Sequence, residues 1–186
     1  DVIVDFTNVP AGTKVRLVNS APAPWPGNPG VGVIPEVMEF RVQSGAGHTD
    51  TIPAVLLPYE VIDESEAVRT RDFVLNKDPD ACGSIWRING LGWEDITEYP
   101  QLGTTEIWRF INDGNSVHPM HMHLVFFQVL DRQAIGGGTP VPPNDNEIGW
   151  KDTAMVLPNQ MTRVIARFTD FPGRFAYHCH LLEHED

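Results

Sequence analysis

Six of the seven histidines stand in two short stretches, and one of the two cysteines joins the second of them. The first stretch is "HPMHMH", with His118, His121 and His123; the second is "HCHLLEH", with His178, Cys179, His180 and His184. Histidines kept for unrelated structural reasons would be scattered, so the fold is expected to bring these two distant segments together. Along a strand, successive side chains point to opposite faces. If "FAYHCH" is extended, His178 and His180 point one way and Cys179 the other. His184 lies five residues past Cys179, and a turn can return it to the cysteine's side. His118 differs in parity from His121 and His123, so this stretch also divides. The economical assignment is one mononuclear site from Cys179, His184 and His118, and a second site from His121, His123, His178 and His180. A thiolate with two imidazoles in a trigonal arrangement and a weak axial ligand makes a blue-copper electron-transfer site. An all-imidazole cluster suits copper that binds and reduces oxygen, and the peptide around Cys179 is a short covalent route between the two.

Other chemistries fit less well. A structural zinc site takes about four ligands, and these stretches offer seven. A Cys–His nucleophilic pair accounts for neither the "HxH" spacing nor the third histidine. A cupin-type site also uses "HxH", but the carboxylate usual soon after it is missing from "HLVFFQ". His48, in "GAGHTD", is isolated and reads as a solvated loop residue.

The rest of the chain reads as all-β. Sixteen prolines and sixteen glycines among many Val, Ile and Thr in 186 residues favour short strands and turns over long helices. "DVIVDF", which alternates, "KVRLVNS" and "VMEFRVQ" read as strands, the last two separated by the Pro- and Gly-rich "APAPWPGNPGVGVIP". From residue 45 the pattern lapses into a linker to residue 71, with one helical turn near "DESEAV". Seven further strands follow from Asp72: "DFVLNK", "SIWRING", "TEIWRFIND", "LVFFQVLDRQ", "DTAMVLP", "MTRVIARF" and "GRFAYHCH". With turn signals between them they describe a β-sandwich or Greek-key barrel. Residues 1–44 hold too few strands to close a core and read as the tail of a preceding domain. The net charge of −12 and the lack of a basic patch argue against a nucleic-acid partner, and no apolar run is long enough to span a bilayer as a helix. Cys82, in "DPDACGSIW", reads as an unpaired loop or strand-edge residue.

"HPMHMH", followed some fifty-five residues later by "HCHLLEHE", resembles the two C-terminal copper motifs of the multicopper oxidases. "TTEIWRFIN", "HLVFFQVLDR", "GWKDT" and "HCHLLEHED" resemble the third cupredoxin domain of the branch containing the bacterial spore-coat laccases and bilirubin oxidases. "DVIVDFTNVPAGTKVRLVNSA" resembles the end of that branch's second domain. The resemblance implies a cupredoxin-like fold over residues 72–186, preceded by the last strands of a second cupredoxin domain in residues 1–44 and a linker over 45–71. It implies type 1 copper ligands at His118, Cys179 and His184, with electrons entering at the edge of His184. It implies a type 2 ligand at His121 and type 3 ligands at His123, His178 and His180. Glu185 matches an acidic residue that helps deliver protons to oxygen, and Asp152, in "GWKDT", reads as a candidate to orient a histidine or as a plain strand residue. The implied activity is one-electron oxidation of phenolic or similar small reducing substrates, coupled to reduction of O2 to water, with about four coppers in the complete enzyme. A metallo-oxidase or bilirubin-type oxidase with the same coppers, and a simple cupredoxin electron carrier, are the alternatives. A secreted, periplasmic, or spore or cell-surface location is favoured by the same resemblance.

Two departures accompany the match. The axial methionine often found ten residues beyond the cysteine would fall at position 189, past Asp186, and Met120, Met122, Met155 and Met161 read as packing residues instead. The family's other two "HxH" motifs are absent. The expectation is therefore a C-terminal piece whose oxygen site is completed by an N-terminal portion of the same enzyme.

Overall fold

The computed structural model describes residues 4–21, 35–48, 51, 53–55, 57–80 and 83–181. The chain divides into two compact units, Asp1–Pro58 and Tyr59–Asp186. In the first, strands β1 (Lys14–Val18) and β2 (Glu36–Arg41) pair antiparallel. Phe6 packs against Phe40 with ring centres 5.2 Å apart. Both strands remain largely exposed, with Leu17 and Met38 about half accessible.

The second unit carries eight strands among its described residues: β3 (Ala67–Asp80), β4 (Gly83–Ile88), β5 (Thr104–Asn112), β6 (His118–Met122), β7 (Phe127–Ala134), β8 (Thr153–Val156), β9 (Gln160–Phe168) and β10 (Tyr177–Cys179). Five of them form one sheet in the order β4-β3-β5-β9-β7, and three form another in the order β10-β6-β8. All pairings are antiparallel except β3 with β5. Such crossings between neighbours are the Greek-key sandwich expected from the strand spacing. The one helical turn expected near "DESEAV" is a 3-10 turn at Glu64–Glu66, capped by Asp63.

Strand alternation builds the core. Phe73 and Leu75 of β3, Trp108 and Phe110 of β5, and Val164 and Ala166 of β9 face Met120 and Met122 of β6, Ala154 and Val156 of β8, and Cys179 of β10. The opposite face of the larger sheet is sealed at one place by Ile62, which packs with Ile107 and Ile165. Gln128 pins that segment, accepting from the Ile62 amide at 3.0 Å and donating to the Glu60 carbonyl at 2.6 Å. Met120 and Met122 are buried, as expected of packing residues, whereas Met155 is 38% exposed and contributes little to the core.

One element is absent from the sequence reading. "HPMHM" is itself a strand, β6, and it lies at the centre of the smaller sheet. Proline within a run normally demotes a strand assignment. Here Pro119 has no amide to offer, and its carbonyl accepts from the His180 amide at 2.7 Å. The turn that delivers the chain into β6 is held by Asn112, which is fully buried. Its side-chain amide donates to the Ser116 and Val156 carbonyls at 2.7 and 3.2 Å, and its oxygen accepts from the Gly114 amide at 3.0 Å. Asn112→Leu removes the partner of one buried and two part-buried backbone groups and is expected to cost about 2–3 kcal/mol of stability, measurable by denaturant unfolding.

A candidate copper centre on two adjacent strands

Strand β10 pairs with β6 so that Cys179 stands opposite Met120 and His178 opposite His121. Directly paired residues share a face. Cys179 therefore turns inward with Met120 and with His118, two residues along β6, and His178 turns outward with His121. Burial follows the same alternation along β6, with His118, Met120 and Met122 buried and Pro119 and His121 partly exposed. The parity argument from sequence thus has its physical counterpart in this register.

On the inner face, Cys179 Sγ lies 3.5 Å from His118 Nδ1, and both residues are buried. A sulfur and a nitrogen bound to one metal at about 2.3 and 2.0 Å stand about 3.5 Å apart when the angle at the metal is near tetrahedral. The donor pair fits a thiolate–imidazole metal site without rearrangement. Trp86 packs edge-on against the His118 ring, with centroids 4.7 Å apart.

On the outer face four imidazoles gather. The His121 ring centre is 4.9 Å from that of His123, 5.5 Å from His178 and 5.4 Å from His180; His178 is 5.3 Å from His123 and 5.5 Å from His180. The ligating atoms of His121, His123 and His178 come within 4.8 Å of one another. His123 Nε2 and His178 Nε2 are 3.1 Å apart, near the separation of about 3.3 Å that two nitrogens sharing one tetrahedral metal would have.

The tautomers are set by backbone oxygens. A ring nitrogen facing a carbonyl must carry the proton, because a carbonyl only accepts. His121 Nδ1 faces the Asp152 carbonyl at 2.8 Å and the Thr153 hydroxyl at 3.1 Å. His178 Nδ1 faces the Cys179 carbonyl at 3.0 Å. Each ring therefore turns its Nε2 lone pair toward the cluster, as a metal-ligating histidine with an oriented second nitrogen does. His123, although exposed, is held below the ordinary histidine range, first by partial desolvation of its ring and then by repulsion from His121, His178 and His180. Neutral imidazole is the form that binds metal. The chain turns sharply just beyond: Leu124 adopts φ 72°, a left-handed conformation that costs a residue with a Cβ about 1–2 kcal/mol.

A family model described as multicopper oxidase matches residues 75–186. The chain belongs to the multicopper oxidases. Over its whole length this multicopper oxidase chain is 36% identical to the laccase of Bacillus subtilis and 36% identical to that of Haloferax volcanii, covering 39% and 31% of those proteins. Among solved structures, it overlays the McoA multicopper oxidase of Aquifex aeolicus with a TM-score of 0.69 at 29% identity, covering 97% of this chain and 40% of that one. The laccase of Pediococcus acidilactici gives 0.65 at 29%, covering 97% and 35%. The chain thus spans well under half the length of these relatives. The fold is the cupredoxin type of that family, and copper is the family's cofactor.

Of the residues singled out in the sequence, the multicopper oxidase fold brings together His118 with Cys179, and His121, His123, His178 and His180 with one another. His184, Glu185 and Cys82 lie outside the described residues. Asp152 does orient a histidine, but through its main-chain carbonyl; sequence carries no signal for that, since any residue there supplies the same oxygen. Thr153→Val removes the weaker of the two acceptors on His121 Nδ1. It is expected to weaken copper retention by less than about tenfold, because the Asp152 carbonyl still fixes the ring; competition with a chelator measures it.

Proposed function

We propose that this chain carries the electron-accepting copper site and half of the oxygen-reducing cluster of a laccase-like multicopper oxidase. Cys179, His118 and His184 would hold the type 1 copper, His121 the type 2 copper, and His123, His178 and His180 the type 3 pair. The observation that carries this reading is the division of one tripeptide between two faces. Cys179 meets His118 on the inside, while His178 and His180, on either side of it, join His121 and His123 on the outside. A simple electron carrier would have no use for the flanking pair. Bound copper would supply one-electron chemistry at the first site and oxygen reduction at the second.

The residues of the chain define the route between them. From Cys179 Sγ the path runs through the cysteine backbone to either neighbour. It also has a shortcut, because the His178 Nδ1–H donates to the Cys179 carbonyl at 3.0 Å. A phenolic or similar small reductant would deliver electrons singly beside His184, and Glu185 would pass protons to reduced oxygen. The remaining imidazoles would come from an N-terminal portion of the same enzyme, to which the exposed edges of His123 and His180 are open.

The test is a copper count with visible absorption, electron paramagnetic resonance and oxygen uptake on the complete protein carrying this chain. About four coppers, an intense thiolate-to-copper band and uptake of one O2 per four phenol equivalents are expected. A single copper with no oxygen uptake would reduce the reading to an electron carrier.

A further inference from the structure

The end of the β3–β4 hairpin places an aromatic–cation pair against the inner site. Positions 73, 75 and 77 of β3 share one face by strand alternation, and Phe73 and Leu75 use it to enter the core. Lys77 stands on that same face at the strand's exposed end, directly opposite Trp86 of β4. Its ammonium lies over the Trp86 ring, 5.0 Å from the centroid, a cation–π distance. Trp86 in turn packs edge-on against His118, at 4.7 Å and 69° between planes. The indole is partly exposed, whereas the imidazole beside it is 2% exposed. Trp86 also lines, with His118 and Cys179, a cavity of about 510 Å³ that opens between the hairpin and β10.

We propose that Trp86 is a positioning residue for His118, and that Lys77 fixes the indole and raises the reduction potential of the metal held by His118 and Cys179. The proposal rests on the copper assignment made above and goes beyond it. The physical argument has two parts. An indole against the buried ring fixes the imidazole plane and keeps water from that side. Water stabilises the more highly charged, oxidised site, so excluding it raises the potential. A cation held nearby disfavours the more positive oxidised state and acts in the same direction. Since Lys77 is exposed, its contribution is screened by salt, while that of Trp86 is not.

The experiment is a redox titration of the visible thiolate-to-copper band, with electron paramagnetic resonance, on the complete copper-loaded protein. Trp86→Ala is expected to lower the potential and alter the copper hyperfine splitting, and Trp86→Phe to keep both near wild type. Lys77→Gln is expected to lower the potential at low ionic strength with an unchanged spectrum, the difference shrinking at about 1 M salt. Wild-type potential and hyperfine splitting in Trp86→Ala would overturn the proposal. If that variant fails to fold or to hold copper, Lys77→Gln decides: a salt-dependent downward shift supports the proposal, and no shift overturns it. Wild-type protein that binds copper without a thiolate-to-copper band would overturn the underlying assignment of His118 and Cys179, and this proposal with it.

Discussion

Cys179→Ser, made in the complete protein, is expected to remove the intense visible band, lower the copper content by about one, and cut oxidase turnover by at least about a thousandfold. The argument is geometric as much as chemical. Among the described residues Cys179 is one that touches both sites. Its sulfur faces His118 on the inner side, and its carbonyl accepts from His178 on the outer side. Serine preserves the backbone carbonyl and the β10–β6 pairing, so the outer imidazoles keep their arrangement and their tautomers. What disappears is the soft thiolate that favours copper in a trigonal site and the first atom of the electron route. The outer coppers are therefore expected to remain, visible by their resonance signal and near-ultraviolet absorption. A protein that cannot be re-reduced through the inner site separates the two functions cleanly. Full turnover in Cys179→Ser would mean that electrons reach the oxygen site by another route, and the assignment of Cys179 would fail.

The parting of Cys179 from His178 and His180 was readable from the sequence because period-two alternation is a property of any extended strand, whatever surrounds it. Given extended backbone at "FAYHCH", Cys179 must part from His178 and His180. The same logic could not identify β6 as a strand, because Pro119 signals an interruption and the pairing that accommodates it comes from β8 and β10, both distant in sequence. Local propensity was overruled by tertiary partners, the usual reason short strands escape single-sequence reading. Nor could sequence show the Asp152 carbonyl behind His121 or Trp86 beside His118. The first is a backbone group, and the second sits on a hairpin thirty-two positions upstream whose approach depends on the packing of the two sheets. Seven strands were anticipated where most stand, but "GRFAYHCH" contracts to Tyr177–Cys179, with Ala176 still accepting from the His123 amide at 2.9 Å.

Arg71→Met is expected to cost about 3–5 kcal/mol of stability, a loss from the core that supports β6 and β10. Arg71 is buried on β3, and its guanidinium holds Glu106 of β5 with two bonds, from Nε at 2.5 Å and from Nη2 at 2.8 Å. Its Nη1 donates to Glu98 at 2.5 Å. Glu106 also accepts from the Trp108 indole at 3.0 Å. Contact with the two carboxylates, Glu106 first, holds the Arg71 pKa above its ordinary value, so the guanidinium stays charged throughout the working range. Removing it strands two carboxylates with only neutral donors, the Trp108 indole on Glu106 and the Thr97 hydroxyl on Glu98, and the cost of an uncompensated buried charge exceeds that of losing the bonds themselves. Adding Glu106→Gln should recover part of the loss at neutral pH, because the amide oxygen still accepts from Trp108 while one charge is gone. The double variant would then be more stable than Arg71→Met alone, a coupling that chemical denaturation of the set of variants measures directly. The consequence extends to the metal strands. The Trp108 ring meets Tyr177 edge-on at 5.1 Å, and Tyr177 immediately precedes His178. Because β10 is three residues long and pairs only with β6 among the described residues, this aromatic contact is a main anchor of its N-terminal end. Loosening Arg71 should therefore speed copper loss from the outer imidazoles before global unfolding, seen as chelator-dependent release below the melting temperature. Release that stays at the wild-type rate while stability falls would show that β6 alone holds β10 in place.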